Sequence, residues 1–506
     1  MSHTPVFDYL RRVASAQTQP FQPSRRRFLQ TGLAAAVVPL VPVSKLKPPQ
    51  VVIVGCGIAG LTAGYRLKQR GVQVALYEAS NRLGGRTFSL RNHFPEGQVA
   101  ELGGEYIDSH HNSIRVLATE LGLELYDVLA EDRGLTDNVW YLDGQLLTNP
   151  QVLTAFAPIR AQIQQDLQGS AFTQNSPGID RLDQLSITEW LDGVEAEPFI
   201  KKLLNVAYTV EYGVDASDQS ALNLLYLLGS GSPVTGADQF ALHGVSDERY
   251  RIRGGNDRLA LTLASKLVNE IHTGTALEAV RQRADGYLTC SFWQDNRSFE
   301  VAAPQVILAL PFTMLRQVKL AIDLPPRQRR AIAELGYGTN AKLMVGFNER
   351  LWRSRYNSNG SVHSDLDFQS TWETSRGQPG PAGILTNFTG GGHGVALSFK
   401  TPAWQEQQFL TQLEQIFPGV GAARSELPVA RFQWPTYPHT RGSYSCYRVG
   451  QWMSFAGSEG QSVGNLHFAG EHCSVVAQGF MEGACESGER VARMALALVP
   501  FAERLA

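Results

Sequence analysis

Three glycines and a distant acid form the first group of residues that could do chemistry. Gly55, Gly57 and Gly60 follow the apolar run 51–54, and Glu78 lies further along the chain. Glycines at this spacing permit a tight turn and a close approach of the backbone to a pyrophosphate, which the N-terminus of the next helix attracts. A carboxylate about twenty residues beyond the glycines can accept hydrogen bonds from a ribose diol and disfavours a 2′-phosphate. The pattern therefore predicts a bound dinucleotide other than NADP.

Two parallel strands and the helix between them must position these residues. Residues 51–54 are all β-branched, which is typical of a strand that is buried on both faces. We expect the helix from Leu61 to about Gln69 and the second strand over residues 72–77. Strand, helix, strand and acid in this order make the glycine motif a specific signal.

Length and composition limit the class of protein. A chain of 506 residues is too long for one ordinary core, so two domains or one interleaved pair are expected. A hydrophobic content of 43% with 18% charged residues is typical of a globular protein, and a net charge of −2 without a Lys/Arg stripe gives no electrostatic case for nucleic acid. The cysteines lack any CxxC or Cys/His spacing, so neither a disulfide framework nor a metal site is predicted.

Residues 1–49 are interpreted as an export signal and a linker. Arg25, Arg26 and Arg27 precede the apolar run 31–43, which resembles a twin-arginine signal. The run is shorter than the roughly 20 residues that span a bilayer. Residues 41–45 match a small-x-small cleavage site poorly, so retention as a membrane anchor stays an alternative, as does a disordered basic tail. We expect export to the periplasm or beyond, with membrane contact only through this signal.

The rest of the chain predicts an α/β fold with a Rossmann-like dinucleotide domain that is discontinuous in sequence. Its three parts are expected at residues 50–111, 246–330 and 441–506. Residues 112–245 predict a helical substrate subdomain, because apolar residues recur at helical spacing from Val152 to Leu167 and Ser186 forms a capping box with Glu189. Residues 331–440 predict a substrate domain built on a mixed sheet.

Several further segments resemble the flavin amine oxidase family, which includes monoamine, polyamine and L-amino-acid oxidases, and are most similar to a bacterial L-amino-acid oxidase. These segments are residues 82–86, 101–106, 340–345, 442–445, 468–471 and 479–484. The resemblance runs from about Val51 to Leu498. It implies FAD as the cofactor, O2 as the oxidant and a small amine or amino acid as the substrate, with a homodimer among the expected assemblies.

The resemblance also implies which residues bind FAD. The glycine-arginine segment binds the pyrophosphate, Gly103 and Gly104 approach the isoalloxazine edge, and residues 470–481 hold the ribityl chain and flavin O2. The full implied set is Gly55, Gly57, Ile58, Ala59, Gly60, Glu78, Arg82, Gly84, Gly85, Arg86, Gly103, Gly104, Glu105, Leu277, Gly470, Glu471, Gly479, Phe480 and Met481. Family members with covalent FAD place a cysteine where this chain has Tyr444, so non-covalent FAD is expected. Cys446, two residues on and on the same side of a strand, keeps a thioether open as an alternative.

Lys342 is the implied catalytic residue, because it matches the family lysine that holds a water against flavin N5. Its neighbours Ala341, Leu343, Met344 and Val345 predict a buried strand. A lysine in such a strand needs a partner or a depressed pKa. A lysine at a strand edge, with no role in catalysis, is the simpler alternative.

The expected substrate-binding residues are Phe480, Tyr444, Glu105, Tyr106, Asp108 and Trp434. Tyr106 stands where vertebrate-type L-amino-acid oxidases have a carboxylate-binding arginine, so another group such as Arg441 or a tyrosine would have to take that role. Glu105 and Asp108, the latter aligned with an acid of polyamine oxidases, suit a cationic substrate. We therefore predict an oxidase that deaminates basic L-amino acids, arginine or lysine, to 2-oxo acids, ammonia and hydrogen peroxide. A monoamine or polyamine oxidase and a flavin-binding protein without oxidase activity are the alternatives.

Overall fold

The structure is a computed structural model that describes residues 49–168, 177–229 and 242–500. The proposed export signal in residues 1–48 lies outside the described residues. Within the described ranges, no helix combines the length and the hydropathy needed to cross a membrane.

Strands and helices are interspersed along the whole of the described chain. The strands are β1 (Val51–Val54), β2 (Val74–Tyr77), β3 (Ser89–Leu90), β4 (Ala100–Glu101), β5 (Leu125–Asp127), β6 (Val139–Leu142), β7 (Gln145–Leu147), β8 (Tyr250–Ile252), β9 (Ile271–His272), β10 (Ala276–Gln282), β11 (Leu288–Gln294), β12 (Arg297–Ala303), β13 (Gln305–Leu308), β14 (Lys319–Ala321), β15 (Gly336–Tyr337), β16 (Ala341–Phe347), β17 (Val362–Ser364), β18 (Ser370–Glu373), β19 (Gly383–Thr389), β20 (Ala430–Gln433), β21 (Ser445–Cys446) and β22 (Leu466–Phe468). The helices are α1 (Ile58–Lys68), α2 (Asn112–Glu120), α3 (Asn149–Gln168), α4 (Pro177–Asp183), α5 (Ile187–Asp192), α6 (Pro198–Tyr212), α7 (Ala221–Gly229), α8 (Asp257–Ser265), α9 (Phe312–Leu315), α10 (Pro326–Glu334), α11 (Leu351–Ser354), α12 (Gly391–Ala396), α13 (Pro402–Leu413), α14 (Gln451–Phe455) and α15 (Met481–Leu498).

A parallel sheet carries the glycine motif. Its strand order is β22-β13-β1-β2-β9, and its neighbouring strands run parallel. β1 is buried along its whole length, which agrees with the all-apolar run that predicts it. Helices α1 and α15 lie against each other and share one core with β1. Because these strands come from widely separated stretches of the chain, the predicted discontinuous α/β domain is confirmed.

A second sheet of seven strands supplies the opposite wall of the central cleft. Its order is β20-β16-β19-β18-β17-β6-β7, and its pairs are antiparallel except β17 with β6, so it is a mixed sheet. All seven residues of β16 are buried, including Lys342. Lys342 therefore lies in a central strand between β19 and β20, and the alternative of a lysine at a strand edge is wrong.

The segment between the first two parts of the parallel sheet is rich in helices. Val152, Phe156 and Ile159 of α3 are buried against α5, α6 and α7, and Ser186 caps α5 by exchanging hydrogen bonds with Glu189. The range 112–245 is not helical throughout, because it also contains strands β5, β6 and β7. β6 pairs with β17 through Val139 and Val362, a partner from a distant part of the chain that local sequence does not identify.

Candidate active site

A cleft of about 530 Å³ lies between the two sheets and the helical segment. With one exception, the residues that the sequence assigns to the cofactor and the substrate line this cleft. They are Gly55, Gly57, Ile58, Ala59, Glu78, Arg82, Gly84, Gly85, Arg86, Gly103, Gly104, Glu105, Tyr106, Asp108, Leu277, Lys342, Trp434, Tyr444, Gly470, Glu471, Gly479, Phe480 and Met481. The exception is Gly60, which packs against the turn after β1: a Cβ there would lie 2.0 Å from the Gly55 carbonyl oxygen. Gly60 therefore serves close helix–strand packing.

The backbone at Gly57 leaves room for a ligand at the start of α1. A Cβ at Gly57 would meet no atom closer than 3.9 Å, and that atom is the Cα of Gly85. The amide of Gly84 donates to the Cys56 carbonyl at 2.9 Å, which holds the second glycine pair beside the first turn. Two glycine segments facing one open space at a helix N-terminus form a suitable seat for a pyrophosphate.

Glu78 is fixed at the end of β2. Its Oε2 atom accepts a hydrogen bond from the Cys56 amide at 2.8 Å, and its Oε1 atom accepts one from the Ser80 amide at 2.9 Å. Both oxygens keep a second lone pair. The carboxylate therefore remains able to accept hydrogen bonds from a ribose diol within the cleft.

Arg86, which is partly exposed, and the buried Glu471 form an ion pair on the same wall. Nη1 of Arg86 lies 2.7 Å from Oε1 of Glu471, and the Gly479 amide donates to Oε2 at 2.8 Å. Burial alone would raise the pKa of Glu471, but the charge of Arg86 and the hydrogen bond from Ser445 lower it. The pair thus joins the glycine-arginine segment to the C-terminal part of the domain, where both can contact one cofactor.

The shape and donors of the cleft fit FAD. The open space at Gly57 suits the pyrophosphate, Glu78 suits the ribose, and the glycines at 103, 104 and 479 allow a flat ring to approach the backbone. Cysteines 56, 290, 446, 473 and 485 are free and buried, and none of them lines the cleft. Cys446 instead receives a hydrogen bond from the Asn223 side chain at 3.5 Å.

Lys342 has the ionic partner that a buried lysine requires. Its Nζ atom donates to the Glu101 carbonyl at 2.9 Å, to the Gly103 carbonyl at 2.9 Å and to Oε2 of Glu105 at 2.8 Å. Burial alone would raise the pKa of Glu105, but the charges of Lys342 and Arg251 lower it. Three acceptors match the three donors of an ammonium group, so a water held by Lys342 would have to share one of them.

Aromatic side chains line the same cleft as Lys342. The Tyr444 hydroxyl donates to the Glu211 carbonyl, and the Phe480 ring lies 5.1 Å from the His111 ring. Tyr106 packs edge-to-face against Trp372 at 6.0 Å between ring centroids. Both Tyr444 and Phe480 line the cleft, as a pocket for a small organic substrate requires.

The polar atoms of Tyr106 and Trp434 are used within the protein. The Tyr106 hydroxyl accepts a hydrogen bond from Nη2 of Arg376 at 2.7 Å, and Arg376 is in turn paired with Asp132 at 2.8 Å. Nε1 of Trp434 donates to the Leu102 carbonyl at 2.9 Å. Arg441, the suggested carboxylate partner, is exposed and is not part of the cleft wall.

An acidic end of the cleft, formed by Glu211, Glu248 and Asp108, includes two residues that sequence reasoning missed. His243 and His363 lie beside it, with their ring centroids 6.1 Å apart. Glu211 lies near the end of α6 and Glu248 lies just before β8, and neither belongs to a recognisable sequence motif. They are identified only because the fold brings them close to Asp108 in the cleft.

The charge states at the acidic end follow from its neighbours. Burial alone would lower the pKa of His243, but Glu211, whose Oε2 lies 3.3 Å from Nδ1 of His243, raises it to about 9. Burial raises the pKa of Glu248 to about 7 and lowers that of His363 to about 3. At neutral pH the His243 ring is therefore an imidazolium, and Glu248 titrates close to neutrality.

Asp108, His110 and His111 place potential ligand atoms within 4.8 Å of one another. Nδ1 of His111 accepts a hydrogen bond from the Asp108 amide at 3.0 Å. Burial lowers the pKa of His111 to about 4, so the neutral ring carries its hydrogen on Nε2, which faces Asp108 at 3.4 Å. This arrangement stabilises the loop by hydrogen bonding and leaves no lone pair on Nε2 for a metal.

Comparison of the sequence with known protein families identifies a match over most of the chain. The model of the flavin containing amine oxidoreductase family matches residues 58–496. The chain belongs to this family. The family's flavin chemistry agrees with the fit of the cleft to FAD, and a flavin oxidoreductase that acts on small-molecule amines is thereby established.

Individual relatives divide between two substrate classes. The chain is 24% identical to an L-amino-acid oxidase of Gloydius blomhoffii over 463 residues, which cover 88% of each protein. Among solved structures, cyclohexylamine oxidase from Brevibacterium oxydans has a TM-score of 0.77 at 21% identity, covering 89% of this chain and 99% of that one. Putrescine oxidase bound to putrescine has a TM-score of 0.75 at 20% identity with the same coverage. At these identities the solved structures establish the fold alone.

Proposed function

We propose that the protein is an FAD-dependent oxidase of small amines that carry a second positive charge, with basic L-amino acids as the first candidate substrates. The observation that carries this proposal is the acidic end of the cleft, where Glu211, Glu248 and Asp108 face the same space as the residues that fit FAD. Carboxylates in a narrow cleft attract cations and disfavour anions. FAD, when bound, accepts a hydride equivalent from the carbon that bears the amine and passes its electrons to O2. Hydride loss leaves an imine, which water hydrolyses, so the products would be ammonia, hydrogen peroxide and a 2-oxo acid.

A basic L-amino acid also needs a partner for its carboxylate, and we assign this role to His243. Its raised pKa of about 9 keeps the ring protonated at neutral pH. Nδ1 faces Glu211, so the Nε2–H on the other side of the ring can donate to a substrate carboxylate. The similarity of the chain to an L-amino-acid oxidase of Gloydius blomhoffii supports a basic L-amino acid as the substrate.

A diamine or polyamine is the second candidate, because no arginine among the described residues lines the cleft at its acidic end. The two arginines that line the cleft, Arg82 and Arg86, belong to the segment that fits the pyrophosphate. A diamine, which has no carboxylate, would need only the acids. In that case the product would be an aldehyde in place of the 2-oxo acid.

Peroxide formation from four related substrates distinguishes an oxidase of basic amino acids from an oxidase of diamines. L-lysine differs from cadaverine by its carboxylate, and L-norleucine differs from pentylamine in the same way. L-norleucine and pentylamine are the counterparts of L-lysine and cadaverine that lack the terminal amine. We expect peroxide formation from L-lysine at a kcat/KM at least about 10-fold above that for L-norleucine, since an ion pair in a cleft is worth more than about 1.4 kcal/mol. Faster turnover of cadaverine than of L-lysine would favour the diamine oxidase. Equal turnover with and without the terminal amine would contradict the proposal, and absence of peroxide with all four would contradict an oxidase.

We also propose that FAD is bound non-covalently, since no cysteine lines the cleft in the described part of the chain. Acid precipitation is expected to leave the yellow colour in the supernatant and a colourless protein pellet. A yellow pellet after repeated washing would show a covalent bond. The Cys446→Ser variant would then test the one cysteine that the sequence leaves open as an attachment residue.

Export by the twin-arginine route is a further proposal. It rests on Arg25 to Arg27 and the apolar run 31–43. This route carries proteins that fold around a cofactor before translocation, which suits a flavoprotein. The proposed location is periplasmic or secreted, with membrane anchoring by an uncleaved signal as the alternative.

A further inference from the structure

We infer that Glu248 is the residue that binds the second positive charge of the substrate, and that Asp108 holds Glu248 in position. The inference rests on the proposed function and names which of the acids at that end of the cleft makes the contact. It assigns different roles to two carboxylates that line the same wall.

The contacts of the acidic end single out Glu248. Glu211 lies 3.3 Å from the His243 ring, whereas Asp108 is buried, lies 3.4 Å from the neutral His111 ring and accepts a hydrogen bond from the Glu248 amide. Among the residues that the structure describes, no basic side chain lies within 4.0 Å of the Glu248 carboxylate. Glu248 is exposed and lines the cleft, whereas Asp108 is only 1% exposed. Glu248 is therefore the acid that a cationic group can reach without displacing another partner.

The backbone at Glu248 is held in an unusual conformation. Its φ angle is +44°, in the left-handed region that residues with a side chain rarely adopt. Oδ1 of Asp108 accepts a hydrogen bond from the Glu248 amide at 2.9 Å. Such strained residues persist only where neighbouring contacts fix them, and they concentrate at functional sites. The Asp108 carboxylate thus acts on the backbone of Glu248, which makes Asp108 a positioning residue.

Two further contacts fix the segments that carry these acids. Ile107 and Tyr250 exchange backbone hydrogen bonds of 2.8 Å in each direction, and the Ser109 amide donates to Asp247 at 2.8 Å. These bonds lie on both sides of the contact between Asp108 and Glu248. The backbone on both sides of Glu248 is therefore fixed by hydrogen bonds. A fixed backbone holds the Glu248 side chain in place, as selective binding of one group requires.

Several charged groups from different elements face Glu248. Burial first, and then the charges of Glu211 and Asp108, raise its pKa to about 7, while His243 and Arg376 act in the opposite direction. The carboxylate is consequently charged above this pH and becomes neutral below it. Binding of a second positive charge should weaken as the pH falls from 8 to 6, and an amine without that charge should be affected less.

The first experiment compares Glu248→Gln with the wild-type holoenzyme on L-lysine and L-norleucine. We expect the KM for L-lysine to rise about 10- to 100-fold, because a charge-assisted hydrogen bond is lost, while the KM for L-norleucine changes less than about threefold. The control is Glu300→Gln, which removes a surface acid on β12. Flavin content and thermal melting check that each variant is folded, and Glu248→Asp is expected to restore part of the preference for L-lysine.

The second experiment tests the positioning role of Asp108. Asp108→Asn keeps an oxygen that can accept from the Glu248 amide, so it should retain most of the preference for L-lysine, whereas Asp108→Ala should lose it. In the Glu248→Gln background, Asp108→Ala should cause no further loss of preference. A general structural role would instead lower kcat for both substrates in every background.

The outcomes separate this inference from the proposed function. If the wild-type enzyme prefers L-lysine and Glu248→Gln keeps that preference at every pH, the inference is overturned while the proposed function stands. If the wild-type enzyme oxidises L-norleucine as well as L-lysine, both are overturned. Should cadaverine be the better substrate, the same variants are tested with cadaverine and pentylamine, with the same expected ratios.

Discussion

Replacement of Gly57 by alanine is expected to leave a folded chain that binds FAD about 100-fold more weakly, as an overpacked contact of about 3 kcal/mol predicts. The φ angle of Gly57 is −75°, so the backbone accepts an alanine without strain. The added methyl meets no protein atom within 3.9 Å and points into the space that fits the pyrophosphate. The measurement is the dissociation constant of FAD for the apoprotein, with thermal melting of the apoprotein to check the fold.

Gly60→Ala is the matched comparison for this prediction. Its methyl would lie 2.0 Å from the Gly55 carbonyl oxygen, so this variant should destabilise the apoprotein itself. Gly57→Ala with unchanged FAD affinity would show that the pyrophosphate does not lie at this turn. A Gly57→Ala apoprotein that melts as early as Gly60→Ala would contradict the expected room for a methyl at this turn.

Lys342→Met is expected to slow both reduction of the flavin by substrate and its reoxidation by O2 by about 100-fold, because the proposed role of Lys342 is to supply a fixed charge beside the flavin. The same change leaves Glu105 buried without its nearest cation, which should cost about 3–5 kcal/mol of stability. Stopped-flow absorbance of the flavin measures the two rates, and denaturant unfolding measures the stability.

A double variant separates these two effects. Glu105→Gln together with Lys342→Met removes both charges and should recover stability without recovering the rates. Lys319→Met, at an exposed position on β14, serves as the control for loss of a lysine. Unchanged rates in Lys342→Met would contradict its catalytic role.

The parts of the fold that were predictable are those that local sequence determines. The all-apolar run of β1 and the glycines after it need only their neighbours to indicate a buried strand and a tight turn. The helical spacing in α3 and the capping box of α5 are equally local. These elements depend on interactions between residues that are close in sequence, so they can be predicted without knowledge of the fold.

The acidic end of the cleft could not be predicted in the same way. Asp108 follows a family motif, but Glu211 lies at the end of α6 and Glu248 lies in a loop before β8, with no motif around either. Their meeting depends on the packing of the helical segment over the parallel sheet. The hydrogen bond from the Glu248 amide to Asp108, which links the two acids, is visible only in the structure.

Tyr106 shows a second limit of sequence reasoning. The motif indicates that an arginine is missing at this position, but it does not show that Arg376, far along the chain, donates to the Tyr106 hydroxyl. Arg376 is buried and paired with Asp132, and it is not part of the cleft wall. An arginine side chain is therefore present next to Tyr106, but it is Arg376, and its charge is paired with Asp132.

The central claim is that this flavoprotein oxidises a small amine that carries a second positive charge. Its most direct test is anaerobic mixing of the purified holoenzyme with L-lysine, cadaverine, L-norleucine or pentylamine at pH 8, while the flavin absorbance is followed. We predict fast bleaching by at least one of the two doubly cationic amines, slow bleaching by both partners that lack the terminal amine, and recovery of the colour with one hydrogen peroxide per flavin when O2 is admitted. Bleaching that is equally fast with and without the terminal amine, or no bleaching by any of the four, would contradict it.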